Sequence, residues 1–275
     1  MIVHQTALRL VSFGAVLIMF GWWEARAPRR ARAWPRFTRW PGNLGVVALN
    51  TVIVRAILPV TAVALALAGE HRRWGLLNYL ALPTGLAIAA ATVLLDLAIY
   101  LQHVMFHAAP ALWRIHRMHH TDLDFDVTTG ARFHPVEIAL SMAYKLGVIA
   151  ALGAPAAGVI IFEIALNASS MFNHANLHLP TGIDARLRLF LVTPDMHRVH
   201  HSIVVDETNS NFGCNLPWWD WLLGTYRAQP AAGHEGMTIG IEQFREPREL
   251  RIDRMLTQPL RGRTGAYAIT RRSGI

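Results

Sequence analysis

Four long apolar stretches organise the chain: Thr6 to Trp23, Leu44 to Ala68, Thr84 to Leu101 and Ile138 to Leu166. A helix needs about 20 apolar residues to cross the hydrocarbon core of a bilayer, so the first three each predict one span. The fourth is longer, carries Gly153-Ala154-Pro155 near its middle and has histidine-rich sequence on both flanks. If those flanks share one site, the stretch is a helical hairpin that enters and leaves on one face. Its arms of about 14 residues, roughly 21 Å, are short enough to be re-entrant.

After Asn167 the apolar runs stop, and histidine, asparagine and tryptophan mix as far as Tyr226, which suits a cap on the membrane face. Residues 228–275 are rich in Arg, Pro and Gly and read as a loosely packed tail. The expected fold is all-α: an integral membrane helical bundle of three spans plus a hairpin, with a cytosolic histidine-rich helical cap. The expected divisions are 1–102 for the N-terminal helices, 103–227 for the catalytic region including the hairpin 138–166, and 228–275 for a C-terminal cytosolic tail.

Composition agrees with a membrane protein, because 53% of residues are hydrophobic and 16% charged. The net charge of +8 is almost wholly arginine, since Lys145 is the only lysine. These arginines crowd beside apolar runs instead of spreading over a polar face, which argues against nucleic acid and for loop charge that orients the chain in a membrane. Residues Glu24 to Pro41 carry Arg26, Arg29, Arg30, Arg32, Arg36 and Arg39 against one acid, so this loop is expected in the cytoplasm. His71, Arg72 and Arg73 then fall outside, and the third span returns the chain to the cytoplasm where the histidines begin. The expected location is a bacterial inner membrane, with the site facing the cytoplasm. Thr6 to Trp23 reads as a retained span, because no basic segment precedes it and no cleavage site follows. Cys214, the single cysteine, excludes a disulfide framework and a thiolate cluster within the chain.

Ten of fourteen histidines fall into spaced groups: HVMFH (His103, His107), HRMHH (His116, His119, His120), NHANLH (His174, His178) and HRVHH (His197, His200, His201). Residues four apart stack on one helix face, so each i,i+4 pair can aim two rings at one spot. The third ring of each HxxHH group lies near the same face and can serve either of two neighbouring ions. Ten imidazoles exceed the ligands of one first-row metal and suit two ions with positions left open. Imidazole binds zinc, copper, nickel and iron alike, but structural zinc favours cysteine, and Val104 or Arg198 stands where a zinc hydrolase would need glutamate. Oxygen chemistry at a membrane surface favours two iron ions. His4, His71 and His234 read as ordinary interfacial or satisfied polar residues.

Around these ligands, Asp96 in the third span is expected to hold an imidazole N–H or an arginine such as Arg114. His134, in RFHPVE, is open between a ligand and a residue that orients one, and Pro135 begins the next helix there. Asn173, Asp195, Glu207 and Asn211 can orient imidazoles or simply cap helices and turns. No residue beyond the metal centre is assigned a catalytic part.

The order HxxxH, HxxHH, HxxHH resembles the fatty acid hydroxylase and sterol desaturase superfamily. Asp96 and Tyr100 before HVMFH, LWRIHRMHH at Leu112 to His120, RFHPVE at Arg132 to Glu137, and NFGCNLPWWDWLLGTY at Asn211 to Tyr226 carry the same resemblance, over roughly residues 90 to 227. It implies membrane helices capped by a cytosolic helical region, a di-iron centre held by the ten histidines, dioxygen, and hydroxylation of an unactivated C–H bond in a lipid or sterol-like substrate. A C-5 sterol desaturase type of reaction is the alternative. Electrons must come from an external donor, a ferredoxin or a b-type cytochrome, because no haem loop, iron–sulfur cysteine set or nucleotide motif is present. The rival from another class is a membrane metal transporter or storage protein, which would place acids or histidines midway through several spans. Asp96 and Glu163 are the only acids within the apolar stretches.

Overall fold

A computed structural model describes the backbone of residues 2–57 and 60–271 and the side chains of 11–57 and 60–270. Ten helices position the site: α1 (Ile2–Arg26), α2 (Arg36–Ile57), α3 (Ala62–Arg72), α4 (Leu76–Tyr79), α5 (Thr84–Ala108), α6 (Pro110–His120), α7 (Pro135–Leu152), α8 (Ala156–Asn173), α9 (Thr181–Leu187) and α10 (Pro194–His200). Short turns of helix follow to residue 271, and the described residues form no β-strand beyond two isolated bridges. The protein is an all-helical membrane bundle. Among the described residues, four segments are long and apolar enough to cross a bilayer: Arg36–Tyr79, Thr84–Ala108, Pro135–Leu152 and Ala156–Asn173.

The hairpin forms as its sequence dictates. Gly153 ends α7 in the left-handed conformation at φ 61°, where a side chain would be strained, and Pro155 precedes the first turn of α8. Glu70 of α3 accepts from the Ala156 amide at 3.0 Å, and Asn78 donates to the Gly153 carbonyl at 3.1 Å, so α3 and α4 gather around this turn. The opposite ends of α7 and α8 return to the histidines: His134 caps the start of α7 and His174 follows the end of α8. Each arm has 18 residues, about 27 Å of helix, so the hairpin is longer than the 138–166 expected and needs no re-entrant geometry.

Small residues let the helices approach. Ala62, Val63, Ala66, Ala91, Leu95, Val159 and Phe162 form one apolar core between α3, α5 and α8. A Cβ on Gly158 would stand 3.2 Å from both the Ala91 Cβ and the Ile88 carbonyl oxygen. Outward-facing Val52, Leu86 and Ile161 are exposed, as lipid-facing positions would be.

The apolar run Leu44 to Ala68 lies within one candidate span, Arg36–Tyr79, as expected, but in two helical pieces: α2 reaches Ile57, and Thr61 caps α3 by accepting from the Ala64 amide at 3.1 Å. One expectation is corrected: the C-terminal segment is not loosely packed. Leu250, Met255, Tyr267 and Ala268 are each at most 1% exposed. Buried Arg117 donates to the carbonyls of Gln258, Arg261 and Arg263, while Trp113 donates to that of Thr264 at 3.2 Å. The composition of this segment hid its fold because backbone carbonyls, not apolar side chains, make many of the contacts. The first expected span lies within α1; its side chains at 6–10 fall outside the described residues.

Candidate metal centre

α5 runs from the hairpin-turn end of the bundle and delivers His103 and His107 on its last turns. Pro110 then starts α6 at once, which turns the chain so that His116, His119 and His120 face back toward α5. Thr193 caps α10 and Pro194 opens it, placing His197, His200 and the following His201 across from them. His174 completes the set where α8 stops.

Nine imidazoles gather in two adjoining groups. His103, His107, His116, His120 and His200 form one, and His119, His174, His197 and His201 the other, with the potential ligand atoms of each group within 4.8 Å of one another. The i,i+4 pairs His116/His120 and His197/His201 each stay together, while His119 and His200 cross to the opposite group. The rings of His120 and His201 are 4.6 Å apart, so the groups abut.

The donor arrangement fits metal ions. The Nε2 atom of His174 lies 3.2, 3.1 and 3.2 Å from those of His119, His201 and His197. Two nitrogens on one ion at about 2.1 Å each would be separated by about 3.0 to 3.4 Å. One ring proton cannot satisfy three such contacts, whereas a shared cation can. The Nε2 atoms of His103, His107 and His200 are buried without a hydrogen-bond partner, as lone pairs kept for an ion would be.

Six of the nine outer nitrogens are held by oxygen, while Nδ1 of His120, His197 and His201 is buried without a hydrogen-bond partner. Nδ1 of His103 meets the Phe212 carbonyl at 2.8 Å, that of His107 meets Asn209 Oδ1 at 3.0 Å, and that of His116 meets Glu137 Oε1 at 2.6 Å. His200 is held by the Ser210 carbonyl at 2.7 Å, His119 by that of Arg132 at 3.3 Å, and His174 by that of Ser170 at 2.7 Å. Donation from Nδ1 leaves the Nε2 lone pair free and fixes the ring plane. Burial, reinforced by the neighbouring imidazoles, holds His119, His120, His197, His200 and His201 well below the usual histidine pKa. Burial also lowers His174, to about 4. The rings are therefore neutral at pH 7, the form that binds a cation.

Aromatic side chains wall the centre. Phe133 stacks on His119 at 4.5 Å, and Phe212, Trp113 and Phe125 also pack against ligand rings. His103 is the least buried of the nine.

The tenth predicted ligand is corrected. α8 ends at Asn173, so His178 is not one helical turn from His174; it is exposed and its amide donates to the Ala27 carbonyl at 3.0 Å. Among the described residues Asp96 reaches no imidazole and no arginine: it accepts from Asn215 Nδ2 and Trp219 Nε1, both at 2.8 Å, while Arg114 donates to the Pro259 carbonyl. His134 is a helix cap, accepting from the Val136 amide, with its Nε2 beside the Leu256 carbonyl. Asp195 pairs with Arg29 and Arg198, and His234 lies beside it. The Asn211 side chain clamps the backbone of Met196 and Arg227, and Glu207 accepts from the Ala231 amide. Of the expected orienting residues, Asn173 does reach a ligand ring, with Oδ1 2.6 Å from His174 Nδ1. Glu137 and Asn209 went unassigned, although RFHPVE had drawn notice to the first.

A family model described as fatty acid hydroxylase matches residues 88–225. An ornithine lipid hydroxylase, OlsE, of Rhizobium tropici is 32% identical over 148 residues, which cover 54% of this chain and 44% of that protein. Alkylglycerol monooxygenase of Homo sapiens is 27% identical over 152 residues, 54% of this chain and 32% of that protein. The Xenopus tropicalis alkylglycerol monooxygenase is 28% identical over 163 residues, 57% of this chain and 34% of that protein. The chain thus spans less than half the length of these relatives. No solved structure matches it.

Proposed function

The chain belongs to the fatty acid hydroxylase family, and from that premise we propose that it is a membrane-bound di-iron monooxygenase that hydroxylates an unactivated C–H bond of a lipid. The observation that carries this reading is the pair of adjoining imidazole groups, five and four nitrogens, buried at one end of the bundle. His103, His107, His116, His120 and His200 would hold one iron, and His119, His174, His197 and His201 the other. Iron bound there supplies the reduction of dioxygen and the oxidising power for the C–H bond. The balance is one C–H, dioxygen, two electrons and two protons giving one C–OH and water.

The protein's own part is to hold and to exclude. Glu137, Asn209 and four backbone carbonyls would keep six of the rings in one tautomer, and the aromatic wall of Phe133, Phe212 and Phe125 packs on the imidazoles and keeps bulk water from them. The relatives are a lipid hydroxylase and a monooxygenase, which favours hydroxylation over desaturation; the same scaffold would support desaturation with a different substrate placement.

The two electrons would come from a ferredoxin or b-type cytochrome on the cytoplasmic face. The arginine-rich stretch 26–39 supports that orientation, since Arg39 pairs with Asp122 two residues past His120, at the histidine end. A bacterial inner membrane is the matching location. A transporter is disfavoured because the acids inside the spans are engaged, Asp96 by Trp219 and Asn215 and Glu163 by Lys145 at 2.5 Å.

Anaerobic purification with iron analysis, joined to lipid profiles of cells carrying wild type or His119→Ala, tests the reading. Two irons per chain and an oxidised lipid that disappears in the variant are expected. Identical lipid profiles, or a protein without iron, would overturn it.

A further inference from the structure

Three side chains of the N-terminal helices reach the loop that follows HRMHH: Glu24 near the end of α1, and Arg39 and Asn43 on α2, each fully buried. None lies within residues 88–225, the span of the family match. Arg39 grips Asp122 through Nε and Nη2, each at 2.7 Å, reaches Asp126 at 2.6 Å and donates to Thr129 Oγ1 at 3.0 Å. Asn43 donates to Asp122 at 3.1 Å and Thr128 at 3.0 Å, and its Oδ1 accepts from Arg132 at 2.8 Å. Glu24 Oε2 accepts from the amides of Val127 at 3.1 Å and Asn176 at 3.0 Å, tying the loop to the chain just past His174.

Desolvation offsets much of the attraction in a buried ion pair, so such a lattice matters chiefly for the geometry it fixes. The gripped loop carries two orienting contacts. The Arg132 carbonyl accepts from His119 Nδ1 at 3.3 Å. The Gly130 carbonyl accepts from Ser170 Oγ at 2.8 Å, and the Ser170 carbonyl in turn accepts from His174 Nδ1 at 2.7 Å. A Cβ on Gly130 would lie 2.3 Å from the Ser170 oxygen and 3.1 Å from His174 Nδ1, so a small movement of the loop is passed to the ring.

Both rings served in this way, His119 and His174, belong to the four-nitrogen group. Four rings of the five-nitrogen group are oriented by Glu137, Asn209 and the carbonyls of Phe212 and Ser210, none of which bonds to Glu24, Arg39 or Asn43; the lattice meets α6, which serves both groups, only through the Arg132 bond to the Met118 carbonyl. We propose that Glu24, Arg39 and Asn43 are positioning residues for the four-histidine group alone. One metal site then depends on helices outside the matched region and the other does not. The inference rests on reading both groups as metal sites.

Anaerobic titration of ferrous iron into the metal-free, full-length protein in lipid nanodiscs, followed by calorimetry, tests it. In Asn43→Ala and Arg39→Lys one ion should bind as in wild type and the other about 10- to 100-fold more weakly. Glu137→Gln should weaken the complementary ion. General destabilisation would weaken both, so the split is the readout, and Asn43→Ala, which leaves the Arg39 ion pairs with Asp122 and Asp126 in place, carries the test if Arg39→Lys does not accumulate. Equal weakening of both ions, or no change in either, overturns the inference while leaving the two-iron reading intact. A wild-type protein that takes up fewer than two ions overturns that reading and the inference together.

Discussion

Glu137 Oε1 lies 2.6 Å from His116 Nδ1, so the acid in the first turn of the hairpin orients a ring of the five-nitrogen group. The contact commits the ring proton to Nδ1 and leaves the Nε2 lone pair free for an ion. Glu137→Gln keeps the shape and removes the charge. Iron affinity should fall about 10- to 100-fold, and hydroxylated lipid with it. Unchanged affinity in a metal titration would reduce the pair to packing.

His174 and His178 stand four apart in sequence yet differ in fate, one buried in the four-nitrogen group and one exposed. His174→Ala should remove one iron per chain and abolish hydroxylation. His178→Ala should keep both. Metal analysis of the two purified variants decides, and loss of iron from His178→Ala would reinstate it as a ligand.

These two residues also show how far the sequence could be read. The i,i+4 spacing of His116/His120 and His197/His201 predicted shared faces, because helical periodicity is local. That His119 and His200 cross to the opposite group depends on how α6 and α10 face each other, which no local pattern encodes. His178 was misjudged because the helix stops at Asn173, and the spacing rule lapses where the helix does. The carbonyls of Phe212, Ser210, Arg132 and Ser170 left no signal at all, since every residue has one. A signal was present but unread in the alternating acids Asp122, Asp124 and Asp126, which answer the arginine-rich stretch 26–39: Asp122 and Asp126 pair with Arg39, and Asp124 accepts from the amides of Ala33 and Trp34.

Acid should destabilise the metal-free protein. Burial lowers the folded pKa of His174 to about 4, and His119, His120, His197, His200 and His201 also lie well below their usual value. Below about pH 6.5 the unfolded chain binds protons that the folded chain does not, so stability falls as pH falls. Each such ring contributes about 1.4 kcal/mol per pH unit until its folded pKa is reached. Thermal unfolding of chelated protein between pH 7.5 and 5 should show the midpoint dropping steeply on acidification. A flat profile would mean that the rings are solvated once the metal is gone.

Asp96 ties α5 to the segment after the last histidine motif through Asn215, Trp219 and the Leu216 amide at 3.3 Å. Asp96→Ala strands these donors, at about 1–3 kcal/mol for each buried group left unpaired. The unfolding midpoint should fall while the iron content of the folded fraction stays at wild type. Loss of iron at temperatures where the protein remains folded would mean that Asp96 supports the metal directly.

Gly158 tests the bundle itself. A Cβ there would sit 3.2 Å from Ala91 Cβ and from the Ile88 carbonyl oxygen, closer than ordinary contact, so even alanine requires a slight shift of α8 from α5. Leucine would need the helices to part. Overpacking of a well-filled core costs about 1–3 kcal/mol. Because α5 carries His103 and His107 while His174 follows the end of α8, parting them also separates the two groups at their base. Gly158→Leu should therefore lower both the unfolding midpoint and the iron content, whereas Gly158→Ala should lower the midpoint slightly and leave iron unchanged. Wild-type stability in Gly158→Leu would mean that α5 and α8 do not pack this closely in the bilayer.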